Sequence, residues 1–255
     1  MNFTILFIVA EYIVVTYVFG MIYKLVGQKL AVYIQRNFGW TGYCILGSVG
    51  VTFHEFSHLI IAVLFRHKIN EVRLFRPFQG KIDGTLGYVN HSWNSRSTYQ
   101  KIGNFFIGTA PMFFGAGFLF VLLSVAYPHS FMSVTEIGEI PNALMFAFSN
   151  TLNHENLFAV WTPIIFLYGI FVCPYMHMSW EDVKGATSGA ITLAIVALLV
   201  SLATAVIPEN AVLQIQSTMN TFVTYYVFAL ALGLIAGIVM AVCFGLLSVI
   251  RGKRL

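Results

Sequence analysis

Long apolar runs, parted by short polar stretches, set the rhythm of this chain. Asn2 to Tyr23 is apolar apart from Glu11 and a few hydroxyl side chains, with no Lys or Arg ahead of it. A cleaved leader has a basic start and a short apolar core, so this run predicts a retained first membrane helix. Lys24 to Trp40 sets Leu30, Val32, Tyr33 and Phe38 among Lys29, Gln35 and Arg36, which predicts an amphipathic interfacial segment. Gly42 to Phe65 predicts the second membrane helix. Ile102 to Ala126, Leu157 to Pro174, Ala186 to Ile207 and Thr221 to Ile250 predict four more. A short helix is expected at Asn142 to Leu152.

The pattern changes between the second and third runs. Ile69 to Phe75 and Thr85 to His91 alternate with period two, and Pro77, Gly80, Asp83 and Gly84 lie between them. These are strand and turn signals, so a small β-hairpin insertion is expected at about 69–93. The expected fold is an all-α polytopic membrane protein with about six transmembrane helices and a hairpin after the second. One domain covers residues 1–255.

Composition agrees. The chain is 58% hydrophobic and 9% charged, against about 25% charged in a soluble domain. Cys44, Cys173 and Cys243 lie far apart without a C-x-x-C pair and read as core thiols. No nucleic-acid motif or basic helical stripe is present, so no nucleic-acid partner is expected. Seven of the fourteen basic residues fall between Arg66 and Lys101, and the chain ends on Arg251-Gly252-Lys253-Arg254-Leu255. Basic loops favour the cytoplasmic side. A multi-pass cell-membrane protein is therefore expected, with both termini and the site opening cytoplasmic. The loop bearing Glu136, Glu139 and Glu155 would lie outside. Lys24, Lys29 and Arg36 run against that assignment.

One stretch carries chemistry. His54-Glu55-Phe56-Ser57-His58 places two imidazoles one helical turn apart, on one face, inside a membrane run. Ionisable groups at such depth are costly and mark functional sites. Two histidines at this spacing can bind one divalent metal, with Glu55 beside them as a general base. A catalytic zinc takes three protein ligands and a water, so a third ligand must come from another segment. His58 lies eight residues before Arg66, about 12 Å along a helix axis. The turn at 175–185 belongs to the same side. It offers Asp182, with His177 as competitor and Glu181 as a capping residue. His91 lies in the hairpin, and His154 with Glu155 in the outer loop. Glu11 reads as a neutral acid bonded within the bundle.

These residues resemble the site-2-protease group of intramembrane zinc metalloproteases. The resemblance rests on His54-Glu55-x-x-His58 in a membrane helix and on Gly87-Tyr88-Val89 on a following strand. It rests also on Gly108-Thr109-Ala110-Pro111 in the next helix and an Asp opening a later one. The chain departs from the family in the context of Asp182, Trp180-Glu181-Asp182-Val183-Lys184-Gly185, and in lacking its Asn after Pro111. The resemblance implies Zn²⁺ on His54, His58 and Asp182, and Glu55 as catalytic base. It also implies an edge strand at Gly87, Tyr88 and Val89 holding an unwound segment of a membrane-anchored protein or peptide. The expected function is hydrolysis of peptide bonds in or near transmembrane segments. Two alternatives use the same residues: a metal or proton transporter, and a non-proteolytic scaffold or immunity-type protein.

Overall fold

The structure, a computed structural model, describes residues 3–157, 159–204 and 207–252, without the side chains of His154 and Leu157. It is mostly helical. The elements in order are α1 (Thr4–Leu64), β1 (Lys68–Arg73), α2 (Pro77–Asp83), β2 (Tyr88–Ser92), α3 (Thr98–Ala126), α4 (Ile140–Thr151), α5 (His154–Leu157), α6 (Thr162–Phe171), α7 (Trp180–Ala203) and α8 (Glu209–Ile250). Among the described residues four helices are long and apolar enough to cross a membrane: α1, α3, α7 and α8.

The first two expected spans are one element. α1 runs for 61 residues and is broken only at Gly39, whose φ of 67° and ψ of −172° are not helical. Nothing else between Lys24 and Trp40 stops a helix, so the amphipathic segment joins the runs on either side. Glycine has no Cβ to oppose a positive φ, and the reversal falls there. Gly27 packs on Pro174 and His177, while Gly47 and Gly50 pack on Tyr175. Both arms of α1 therefore lie level with the same turn, and the chain folds back on itself at Gly39.

The expected fourth span is corrected too. Thr162-Pro163 begins α6 and Cys173-Pro174-Tyr175 ends it in a 3-10 turn, leaving a ten-residue helix. At 1.5 Å per residue it is about 15 Å long, half of a bilayer core.

Contacts fix the directions of the rest. Leu6 N–H donates to the Ser201 hydroxyl near the end of α7. Tyr23 donates to the Leu230 carbonyl, and Asn37 to the Phe244 carbonyl and the Ser248 hydroxyl on α8. The first arm of α1 is thus antiparallel to α7 and parallel to α8. The chain's N-terminal end and the end of α8 sit at opposite ends of the bundle, so the expectation of both termini on one side does not hold. Losing one full crossing at α6 is the cause. Arg36 and Arg251 share the Gly39 end, where Arg251 donates to the Asn37 carbonyl.

The hairpin insertion is present, with one correction. β1 and β2 pair antiparallel, Arg73 opposite Tyr88 and Lys68 opposite Ser92, with an irregularity between Ile69 and Glu71. The stretch expected as a turn holds α2, started by Pro77 and closed by Gly84 at φ 77°. The insertion packs on the side of the signature helix. Arg66, at φ 58°, ends α1 with His67 N–H bonded to the Ala62 carbonyl, which turns the chain back. Gly87 then lies against Glu55, Leu86 packs with Cys44 and Val51, and the Trp40 indole donates to the Pro77 carbonyl. The insertion runs back along the second arm of α1, past the two histidines.

The main core forms where α1, α3, α7 and α8 meet, around Tyr12, Tyr23, Phe105, Met112, Phe228 and Leu230. α3 and α7 cross so closely that a Cβ on Gly108 would fall 2.4 Å from the Asp182 carbonyl oxygen, and one on Gly189 2.3 Å from Phe105 N. Small residues here let two backbones touch, as membrane helices require where no water drives them together.

Candidate metal centre

His54 and His58 are both buried, on the inner face of the second arm of α1. Each ring is held from behind. His54 Nδ1 lies 2.7 Å from the Tyr175 carbonyl oxygen. His58 Nδ1 lies 2.7 Å from the Ile107 carbonyl oxygen. A carbonyl only accepts, so each Nδ1 carries the proton and each Nε2 of the neutral ring presents a bare lone pair. Those two Nε2 atoms face each other at 3.1 Å. Two lone pairs at that distance repel unless a proton or a cation lies between them.

The two carbonyls are available for sequence reasons. In a helix the Ile107 carbonyl would accept from the amide four residues on, but that residue is Pro111, which has no N–H. The freed oxygen turns to His58. Tyr175 sits in the 3-10 turn that ends α6. Its ring lies across Gly47 and Gly50, where added Cβ atoms would come within 2.7 Å and 2.1 Å of it. Glycine at both places lets the turn approach α1 closely enough to reach His54.

Asp182 completes the set. Its Oδ1 is 3.5 Å from His58 Nε2 and its Oδ2 4.0 Å from His54 Nε2. It is the fourth residue of a capping box: the Ser179 hydroxyl accepts from Asp182 N–H at 3.1 Å, and Asp182 Oδ2 accepts from Ser179 N–H at 2.7 Å. The box fixes the carboxylate at the start of α7 and leaves Oδ1 facing the imidazoles. Ser179-x-x-Asp182 is a legible sequence signal for this. The cap belongs to Asp182, not to Glu181, which is exposed and pairs with Lys184 at 3.2 Å.

Among the described residues His54, His58 and Asp182 are the one group of three or more such side chains that could hold a metal ion. Ligands about 2.0–2.1 Å from a tetrahedral zinc lie roughly 3.3 Å apart. Spacings of 3.1 and 3.5 Å match that sphere, and the third, His54 to Asp182 at 4.0 Å, is wider.

Glu55 is buried next to His54 and outside the ligand group. Its side chain lies against Gly87, where a Cβ would come within 2.6 Å of Glu55 Cγ. Tyr88 and Val89 pair with Arg73 and Val72, and the Arg76 guanidinium lies 5.0 Å over the Tyr88 ring.

The other candidates lie elsewhere. His177 is beside the site, its ring 5.5 Å from that of His54, and its Nδ1 is buried without a hydrogen-bond partner. Burial holds its imidazole low, at about 4. His91 is on β2 and contacts His67, not the triad. Glu155 is exposed on α5, and the His154 side chain lies outside the described residues. His67 was not singled out from the sequence. Its 3.0 Å contact with His91 arises from strand register.

No family model, curated protein or solved structure matches this chain.

Proposed function

We propose that this chain is an intramembrane zinc metalloprotease that cleaves membrane-anchored proteins or peptides in or near their transmembrane segments. One observation carries the reading. Two imidazoles, each locked by a carbonyl behind it, turn bare nitrogens on one point 3.1 Å apart, with a carboxylate oxygen 3.5 Å from one of them. That donor set suits Zn²⁺ on His54, His58 and Asp182 and leaves a position for water.

Bound there, zinc supplies a Lewis acid that polarises a carbonyl and brings a water's pKa to about 7. Glu55 takes the water's proton and hands it to the departing amine. Gly87 keeps the Glu55 side chain in place by leaving it room. Tyr88 and Val89 open β2 just after Gly87, and an extended substrate segment would add to the edge of β2 by backbone hydrogen bonds. Extension is required, because a helix engages its own carbonyls.

The test is a comparison of purified wild-type protein and Glu55→Gln. Both should carry about one zinc per chain. In cells, single-span membrane fragments should accumulate with Glu55→Gln and be cleared by wild type. Equal clearance by both proteins would refute the reading. So would a purified chain that takes up no zinc.

A further inference from the structure

A second cavity lies away from the metal site. It has a volume of about 500 Å³, is partly open, and is lined by α3, α4, α6 and α8. Its walls are almost wholly apolar, with Leu123, Gly169, Ala236 and Val239 among them. One end is closed by Cys173 and Gly233, which meet across it. Tyr127, Thr151 and Thr162 lie towards the other end, near Phe244 of α8.

Thr151 is the informative residue. A threonine hydroxyl in an apolar helix ordinarily bonds to the carbonyl four residues earlier. Thr16, Thr109, Thr192 and Thr224 do so here. Thr151 lines the cavity, is 6% exposed, and its hydroxyl is buried with no partner. Such a group left unpaired is costly, so it points to an acceptor that the protein does not supply.

Size and shape narrow the ligand. From Thr162 to Cys173 the cavity follows α6 for about 16 Å. The long, almost wholly apolar space suits a hydrocarbon chain. The charge at the mouth suits a phospholipid. Arg251 lies seven residues beyond Phe244, about 10 Å further along α8 towards the Gly39 end. Trp161, next to Thr162, is 37% exposed, as an aromatic anchor at a bilayer surface would be.

We infer that this cavity is a binding site for one acyl chain of a membrane phospholipid, whose ester carbonyl accepts from Thr151 and whose phosphate faces Arg251. α6 is too short to fill the bilayer beside α8, and the lipid chain occupies what it leaves. The closed end is Cys173, two residues from the carbonyl that holds His54, so the lipid packs behind the turn that fixes the metal site.

The test uses the full chain in phosphatidylcholine bilayers with a tracer of phosphatidylcholine bearing a diazirine midway along one acyl chain. Photolysis should place most crosslinks on the 162–173 and 232–244 peptides. Ala236→Phe should abolish them by filling the space. Thr151→Val, which preserves shape, should lower them several-fold, as should Arg251→Gln. Zinc content of the same samples reports the metal site independently and should stay unchanged in Thr151→Val. Crosslinks spread evenly over all lipid-facing helices would overturn the inference. So would labelling that survives Ala236→Phe, or a free diazirine fatty acid labelling these peptides where the phospholipid does not.

Discussion

Two pairs of histidines in this molecule meet at nearly the same distance and mean different things. His54 and His58 face each other at 3.1 Å through Nε2, and His67 and His91 at 3.0 Å through Nδ1. The difference lies on the far side of each ring. In the first pair both rings donate backwards to carbonyls, so the two neutral rings would meet lone pair to lone pair. In the second only His67 is held, its Nε2–H donating to the Gln100 carbonyl at 2.9 Å. His91 is free to place its proton on Nδ1 and donate to His67. The second pair is complete as it stands; the first needs a proton or a cation between its nitrogens. Distance between two imidazoles therefore says little, and the partners behind them decide.

The strongest way to break this comparison is to remove ligands from each pair. His54→Ala and His58→Ala should each weaken zinc binding by more than about 100-fold, measured by chelator competition. His67→Ala and His91→Ala should leave it within about twofold. Equal effects at the two pairs would erase the distinction.

A subtler variant leaves every ligand in place. Pro111→Ala restores an amide N–H that competes with His58 for the Ile107 carbonyl. Positioning partners of metal-bound histidines are worth about 10–100-fold in affinity. Zinc affinity should fall by about tenfold, while the melting temperature in detergent does not drop, since alanine suits a helix interior better than proline. Unchanged affinity would show that the freed carbonyl does not hold the ring.

Parts of this were legible in the residues. The i, i+4 spacing of His54 and His58 sets one helix face, and the apolar run sets the depth. The strands were visible as alternation. What failed were places where local pattern meets tertiary contact. Lys24 to Trp40 reads as a separate amphipathic piece because its charges suggest an interface, yet no breaker but Gly39 parts it from its neighbours. Leu157 to Pro174 reads as a span by hydropathy, although Pro163 and Pro174 already bound a helix too short to cross. Hydropathy counts apolar residues and does not see where the helix starts. Nothing local announces that β1 and β2 return along α1, or that Ile69 pairs with His91 and so brings His91 to His67. Both depend on contacts between segments far apart in sequence.

The smallest effect separates the pairs by proton uptake. Burial, then the neighbouring His67, hold His91 down at about 4. In an opened insertion His91 would titrate near its ordinary 6.5. Between those values the opened form binds a proton that the folded form refuses. The pair's contribution is therefore whole above about pH 6.5 and is lost as pH falls towards 4. His91 is partly exposed, so solvent reduces the size of the effect. Hydrogen exchange across residues 68–92 should quicken, after correction for intrinsic rates, as pH is lowered through that window. His91→Gln should flatten the dependence without changing zinc content. A slope that persists in His91→Gln would assign the acid sensitivity to other groups and leave the second pair a packing contact alone.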